Sequence, residues 1–162
     1  MIQLLPYVLY LILIALHTVI TDDLTAILSA RINLTAFIIL AVALYKGELA
    51  SLWFGFFAGL VAGAVLPSTM GWYALFGAAL GLFAHHMKER LNLDSQKARL
   101  LITFVGVLLF NVASYAVREP EGIGHLWWSA GVTGAMYTTV LAFVYFSIKH
   151  GLLTPAKVKS IF

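Results

Sequence analysis

Few side chains in this sequence could do chemistry inside an apolar environment. Asn111 lies deep in the apolar run 100–117, and His17 lies near the end of the run 2–20. A buried amide can hydrogen-bond to another helix or bind a ligand or an ion, and a histidine can relay protons. The residue pattern favours a helix-to-helix hydrogen bond for Asn111 and an interfacial position for His17, and the alternatives stay open.

The adjacent pair His85-His86 has only a superficial likeness to a metal site. Neighbouring residues on a helix point about 100° apart, so the two rings do not converge on one ion. We therefore interpret both as interfacial anchors. The sequence has no cysteine, no nucleophile–base arrangement, no phosphate-binding loop and no zinc-protease motif. We expect no catalytic residue, no cofactor and no metal, and hence no enzyme.

Glycine recurs at every fourth position of GFFAGLVAG, residues 55–63. Glycine is unfavourable in a water-exposed helix by roughly 1 kcal/mol against alanine. In lipid, small residues let two helices pack closely, and that packing offsets the loss. A helix face made of small residues either packs against another helix of the same chain or binds a helix of a partner protein. The candidate helix-packing or partner-interface residues are Ser51, Gly55, Gly59, Gly63, Gly77, Gly81, Asn111 and Gly134.

The elements that must position these residues follow from composition. Of the 162 residues, 62% are hydrophobic and 10% are charged, against about 25% charged in soluble domains. The sequence predicts an all-α integral membrane protein, a single transmembrane domain over residues 1–162 in which about six helices form a compact bundle. Run 33–45 is short, and it either spans or is re-entrant. The approximate spans are 2–20, 33–45, 50–66, 72–84, 100–117 and 127–148.

Basic residues divide unequally between the two sides of the predicted bundle. With six spans, eight of the 10 Lys and Arg residues fall on the side of both termini, and only Arg31 and Arg118 fall on the other. The positive-inside rule then predicts cytoplasmic termini. Residues 22–33, between the first two spans, are either a short interfacial helix or a loop.

Segment 46–84 resembles the core signature of the rod shape-determining protein MreD family. The likeness extends to chain length, the six apolar segments and the basic tail. Departures occur at Gly63 and Asn111, where the family often has Asp, and at Thr133 and Thr138, where it has Asn and Pro. The matching positions are Lys46-Gly47, Gly55-Phe56, Gly59-Leu60, Ser68, Gly71, Ala74-Leu75 and Gly81.

This resemblance implies a multi-pass protein of the bacterial inner (cytoplasmic) membrane that takes part in cell-wall elongation. It implies a non-enzymatic scaffold that partners the single-span protein MreC, near MreB, RodA and a class B penicillin-binding protein, without nucleic acid. The fold would be similar to the S-components of energy-coupling-factor vitamin transporters. That likeness supplies the alternative function, a substrate-binding subunit of a small-molecule transporter.

Overall fold

The structure is a computed structural model that describes residues 4–21, 31–91, 95–118 and 131–149, and these contain six α-helices. Residues 22–30, most of the predicted interfacial segment, and residues 127–130, the start of the last predicted span, lie outside the described residues. The helices are α1 (Leu5–Leu16), α2 (Leu34–Tyr45), α3 (Glu48–Gly63), α4 (Met70–Arg90), α5 (Gln96–Arg118) and α6 (Thr133–Lys149). A π-helical turn, His17–Thr21, prolongs α1, and a 3₁₀ turn, Pro67–Thr69, precedes α4.

Local sequence explains where α2 begins and why α3 follows it so closely. The side chain of Asn33 accepts a 2.9 Å hydrogen bond from the Ala36 amide, which is the usual way an asparagine caps a helix. At the other end, Lys46 and Gly47 have extended backbones and separate α2 from α3. A two-residue connection turns the chain back on itself, so α2 and α3 are antiparallel neighbours.

Consecutive helices run in opposite directions between two ends of the bundle. At one end, the Lys149 amine lies 3.2 Å from the centre of the Tyr45 ring, and Gln96 Nε2 donates a 2.9 Å hydrogen bond to Ser147 Oγ. We name this the Lys149 end. At the opposite end, the Asn33 amide donates a 3.0 Å hydrogen bond to Thr138 Oγ1. We name this the Asn33 end.

Helix α2 lies at the centre of the bundle although it has only 12 residues, and it contacts each of the other five described helices. Nine of its 12 residues are buried, among them Ile39 and Leu40 at 0% exposure. By contrast, α1 lies at the periphery, where most of its large apolar side chains are exposed. The protein itself covers α2, whereas α1 offers its apolar side to the surroundings.

Among the described residues, α5 is the helix long and apolar enough to cross a membrane by itself; it has 23 residues and a mean hydropathy of 2.2 in its most apolar window. Three shorter helices are also apolar: Leu5–Ile20, Leu34–Tyr45 and Glu48–Gly63. Helix α4 extends well past its apolar run, as far as Arg90. Its Lys88 amine donates a 2.7 Å hydrogen bond to the Lys46 carbonyl, which links α4 to the connection between α2 and α3.

Candidate functional site: a glycine seam and a polar cavity

The glycine column of α3 lies against α4 of the same chain. A β-carbon placed on Gly59 would lie 2.7 Å from the Tyr73 carbonyl carbon and 2.8 Å from the Ala74 Cα. Side-chain carbons do not approach backbone this closely, so only glycine fits. We name this contact the glycine seam, and its members are Ser51, Gly55, Gly59 and Gly63 of α3 with Met70, Tyr73, Ala74, Gly77 and Gly81 of α4.

The two helices meet backbone to backbone along the whole seam. Gly55 faces Gly77 near its middle, and Gly81 faces the Ser51 carbonyl at one end. The Ser51 side chain is 1% exposed, and its hydroxyl donates to the Gly47 carbonyl at 2.8 Å, so it leaves no unsatisfied polar group in the contact. Because α4 occupies the seam, a helix from another protein has no access to this column.

The small residues of α6 also face inward. A β-carbon on Gly134 would lie 3.1 Å from the Arg31 carbonyl oxygen and 3.1 Å from Asn111 Nδ2. Thr138 and Ala142, further along the same face, are both 0% exposed. This face packs mainly on α5.

Asn111 belongs to a buried polar cluster that joins three segments of the chain. Its Oδ1 accepts a 2.7 Å hydrogen bond from Asn33 Nδ2, and its Nδ2 donates to the Gly131 carbonyl at 3.3 Å. Thr138 accepts from the Asn33 amide and donates its own hydroxyl to the Gly134 carbonyl at 2.7 Å. The residue pattern predicts a hydrogen bond between helices for Asn111, whereas it gives Asn33 only as the first residue of the apolar run 33–45.

A cavity of about 920 Å³ lies beyond this cluster, at the Asn33 end. It exists because α2 begins at the depth of Asn111, whereas α5 continues for seven more residues to Arg118. At 1.5 Å per residue those residues add about 10 Å of helix beyond the start of α2. The space above the N-terminus of α2 is therefore not filled by α2 itself.

The walls of the cavity combine neutral polar groups with two cations. Its lining includes Asn33, Asn111 and Ser114, together with Arg31 and Arg118. None of the described residues in the lining is Asp or Glu. The guanidinium carbon of Arg118 lies 5.9 Å from the centre of the Tyr73 ring, a distance typical of a cation–π contact. The described walls therefore carry positive charge.

A second, smaller cavity of about 480 Å³ forms a groove along the length of α2, from Leu34 to Tyr45. Helices α1 and α6 form its sides and α2 its floor. The pKa of Lys149, at its rim, is lowered because burial desolvates the amine and, to a lesser extent, because Arg99 is nearby. Arg99 is itself buried, and its Nη1 has no hydrogen-bond partner among the described residues.

The histidines at positions 17, 85 and 86 differ in exposure. His86 is exposed, whereas His85 and His17 are each 8% exposed. His85 Nε2 lies 3.3 Å from the Glu89 carboxylate one turn further along α4, a pair that sequence reasoning missed. His17 is part of the lining of the Asn33-end cavity. His17 and His85 are thus buried within the protein, and the interfacial positions expected for them stay predictions.

In the described part of the chain, the polar cluster consists of amides and hydroxyls that are hydrogen-bonded to one another. No group of three or more His, Cys, Asp or Glu residues within that part converges as metal ligands would. The described lining of the Asn33-end cavity thus consists of apolar side chains, neutral hydrogen-bonding groups and two arginines.

The described helices define the class of the chain: an all-helical protein with the apolar composition of a helical membrane protein. The family model of the rod shape-determining protein MreD matches residues 1–148. The chain therefore belongs to the MreD family, a bacterial membrane protein family with a role in determining rod shape. No curated protein and no solved structure matches the chain, so the likeness to the S-component fold has no support from a solved structure.

Proposed function

We propose that this chain is a non-enzymatic scaffold subunit of the cell-wall elongation machinery and that it binds the single-span protein MreC in the membrane. The observation that carries the proposal is the family match, which extends over residues 1–148. MreB, RodA and a class B penicillin-binding protein are the further neighbours that the scaffold would serve. In the cytoplasmic membrane, the Lys149 end would face the cytoplasm, because it carries most of the basic residues.

The packing of the helices leaves fewer surfaces to which the MreC helix could bind. The glycine seam and the small face of α6 are both occupied by helices of this chain. No other described helix fills the groove between α1 and α6, and Tyr7, Tyr10 and Tyr145 lie along it. Aromatic side chains are enriched where proteins bind other proteins. We therefore place the MreC helix in this groove.

The test is co-purification of MreC with the tagged chain from membranes solubilised in mild detergent. Ala41 lies in the floor of the groove, so Ala41→Trp would fill it and should remove most of the bound MreC. Leu101→Trp is the matched control, because Leu101 is 55% exposed on α5 and does not line the groove. In a strain that lacks the gene for this chain, Leu101→Trp should retain MreC and restore rod shape. Ala41→Trp should lose MreC and fail to restore rod shape.

Two outcomes would contradict the proposal. Absence of MreC from the purified parent protein would remove the scaffold role, and retention of MreC by Ala41→Trp would remove the groove as its site. Recovery of an ATPase pair in place of MreC would favour the transport subunit. The family match does not favour that alternative.

A further inference from the structure

The groove between α1 and α6 has an apolar part and a cationic end. One face of α2 forms the floor, and the lining residues of that face from Leu34 to Val42 are all apolar. Tyr45 and Lys46 complete the floor at the Lys149 end, and Lys149 of α6 lies beside them. The groove is therefore amphiphilic along its length, with apolar side chains over most of the floor and two amines at one end.

The two amines contact tyrosine rings. The Lys149 amine lies 3.2 Å from the centre of the Tyr45 ring and 5.8 Å from that of Tyr145. The Lys46 amine lies 5.7 Å from the centre of the Tyr7 ring. A ring face attracts the charge of an ammonium group but gives its three N–H donors no oxygen acceptor. Both lysines are exposed, so an anion in the groove can reach them.

The positive charge at this end is not balanced within the groove. None of the described residues in its lining is Asp or Glu. The pKa of Lys149 is lowered by burial and, to a lesser extent, by the positive charge of Arg99. A neighbouring anion favours the charged form of an amine. An anionic group bound at the Lys149 end would therefore reduce the repulsion between these cations.

The length of the groove is close to that of one leaflet of a bilayer. The 12 residues of α2, at about 1.5 Å each, give a floor of about 18 Å. Half of a hydrocarbon core of about 30 Å is about 15 Å. An acyl chain of one leaflet would lie along the whole floor, whereas a membrane-spanning helix would extend well beyond it. The amines at one end would hold the headgroup at the membrane surface.

We propose that this groove binds one anionic phospholipid, with the phosphate held by Lys46 and Lys149 and an acyl chain lying along α2. Basic pockets between membrane helices bind anionic headgroups in this way. In the orientation proposed above, the lipid belongs to the cytoplasmic leaflet. The MreC helix, which we place in the same groove, would displace the lipid. The lipid-bound state is therefore that of the chain without MreC.

The experiment is native mass spectrometry of the purified, delipidated full-length chain in neutral detergent, without MreC. Phosphatidylglycerol and phosphatidylcholine with identical acyl chains are titrated separately. We expect saturable binding of one phosphatidylglycerol per chain. Phosphatidylcholine should bind severalfold more weakly, because its headgroup carries a cation that the lysines repel. Glycerol 3-phosphate, which has the anionic group without the chains, should not compete at equal concentration.

Two charge variants test the headgroup site. Lys46→Gln and Lys149→Gln should each weaken the apparent Kd for phosphatidylglycerol roughly fivefold, the usual contribution of one lysine near an anionic lipid. Neither should change the binding of phosphatidylcholine as much. Lys97→Gln is the matched control, because Lys97 is an exposed lysine near the start of α5 that does not line the groove.

One size variant tests the position of the acyl chain. Ala41→Trp places a large ring on the floor of the groove and should remove most of the bound phosphatidylglycerol. Leu101→Trp, at an exposed position on α5 outside the groove, should bind as the parent does. Should Ala41→Trp lower the Tm of the lipid-free protein, the two lysine variants decide alone.

The proposal fails if no phosphatidylglycerol binds, if phosphatidylcholine binds as tightly, or if glycerol 3-phosphate competes as well as the whole lipid. It also fails if both lysine variants bind as the parent does, or if Lys97→Gln weakens binding as much as they do. Because MreC is absent from these measurements, any of these results leaves the MreC proposal untouched. Absence of MreC from the co-purified material would likewise leave lipid binding untouched.

Discussion

The Nδ2 of Asn33 donates a 2.7 Å hydrogen bond to the Oδ1 of Asn111, and this single contact joins residues 78 positions apart in the chain. It connects the first turn of α2 to the interior of α5, directly below the Asn33-end cavity. Asn111 is 6% exposed, and Asn33 is partly exposed at the cavity lining. The start of the central helix and the floor of the cavity therefore depend on the same pair of amides.

Replacing Asn111 by Leu should destabilise the protein. The change leaves Asn33 Nδ2 and the Gly131 carbonyl without their partner, and buried polar groups without partners lower stability by about 1–3 kcal/mol. Chemical denaturation in detergent measures the effect, and a double-mutant cycle with Asn33→Leu isolates the pair. Additive effects of the two substitutions would show that the bond does not contribute. Leu109→Val, at a position 53% exposed on the same helix, is the neutral control.

Replacing Gly59 by Leu should lower the Tm in detergent. The new side chain would meet the backbone of Tyr73 and Ala74, and overpacking of this kind costs about 1–3 kcal/mol or more. Gly71→Leu is the matched control, because a β-carbon on Gly71 meets no atom within 4 Å. If the two variants melt at the same temperature, the glycine seam is not a close contact. Because the glycine seam lies within the chain, the folded fraction of the Gly59→Leu protein should still bind MreC.

Single cysteines should report the orientation of the bundle, because the sequence contains no cysteine of its own. Ser68 and Ser95 are both exposed, at the Asn33 end and the Lys149 end respectively. We expect Ser68→Cys to react with an impermeant thiol reagent in intact spheroplasts and Ser95→Cys to react only after lysis. The expectation follows from the excess of Lys and Arg at the Lys149 end. The reverse labelling pattern would invert the topology.

The lowered pKa of Lys149 predicts a pH dependence. The folded protein binds this proton less tightly than the unfolded chain, whose lysine keeps the ordinary value of 10.5. Between the lowered value and 10.5 the unfolded state holds more protons, so stability should rise with pH in that window. Lys149→Gln should abolish this part of the rise, and Lys97→Gln, at an exposed position near the start of α5, should not. Identical pH profiles for parent and Lys149→Gln would contradict the shift.

Much of the architecture could be predicted from the sequence because it depends on local pattern. Apolar runs predict helices wherever their length and composition suffice, and each of the six described helices overlaps one of those runs. The agreement is close for α2, which is Leu34–Tyr45 against the predicted 33–45, whereas α4 extends six residues beyond its run, to Arg90. The four-residue spacing of Gly55, Gly59 and Gly63 puts them on one face of α3 whatever the fold. What faces that column does not follow from spacing, because α4, α6 and a partner helix are all compatible with it.

The sequence by itself determined the class of the protein, its family resemblance and the positions of its helices, since composition and periodicity act over a few residues. Only the tertiary structure decided that the 12-residue α2 lies at the centre and that α4 occupies the glycine seam. It also decided that a polar cavity lies above Asn33. The physical reason is that burial depth and cavities are properties of helices of unequal length packed together. The residues of one apolar run do not determine how far the helices packed against it extend beyond its ends.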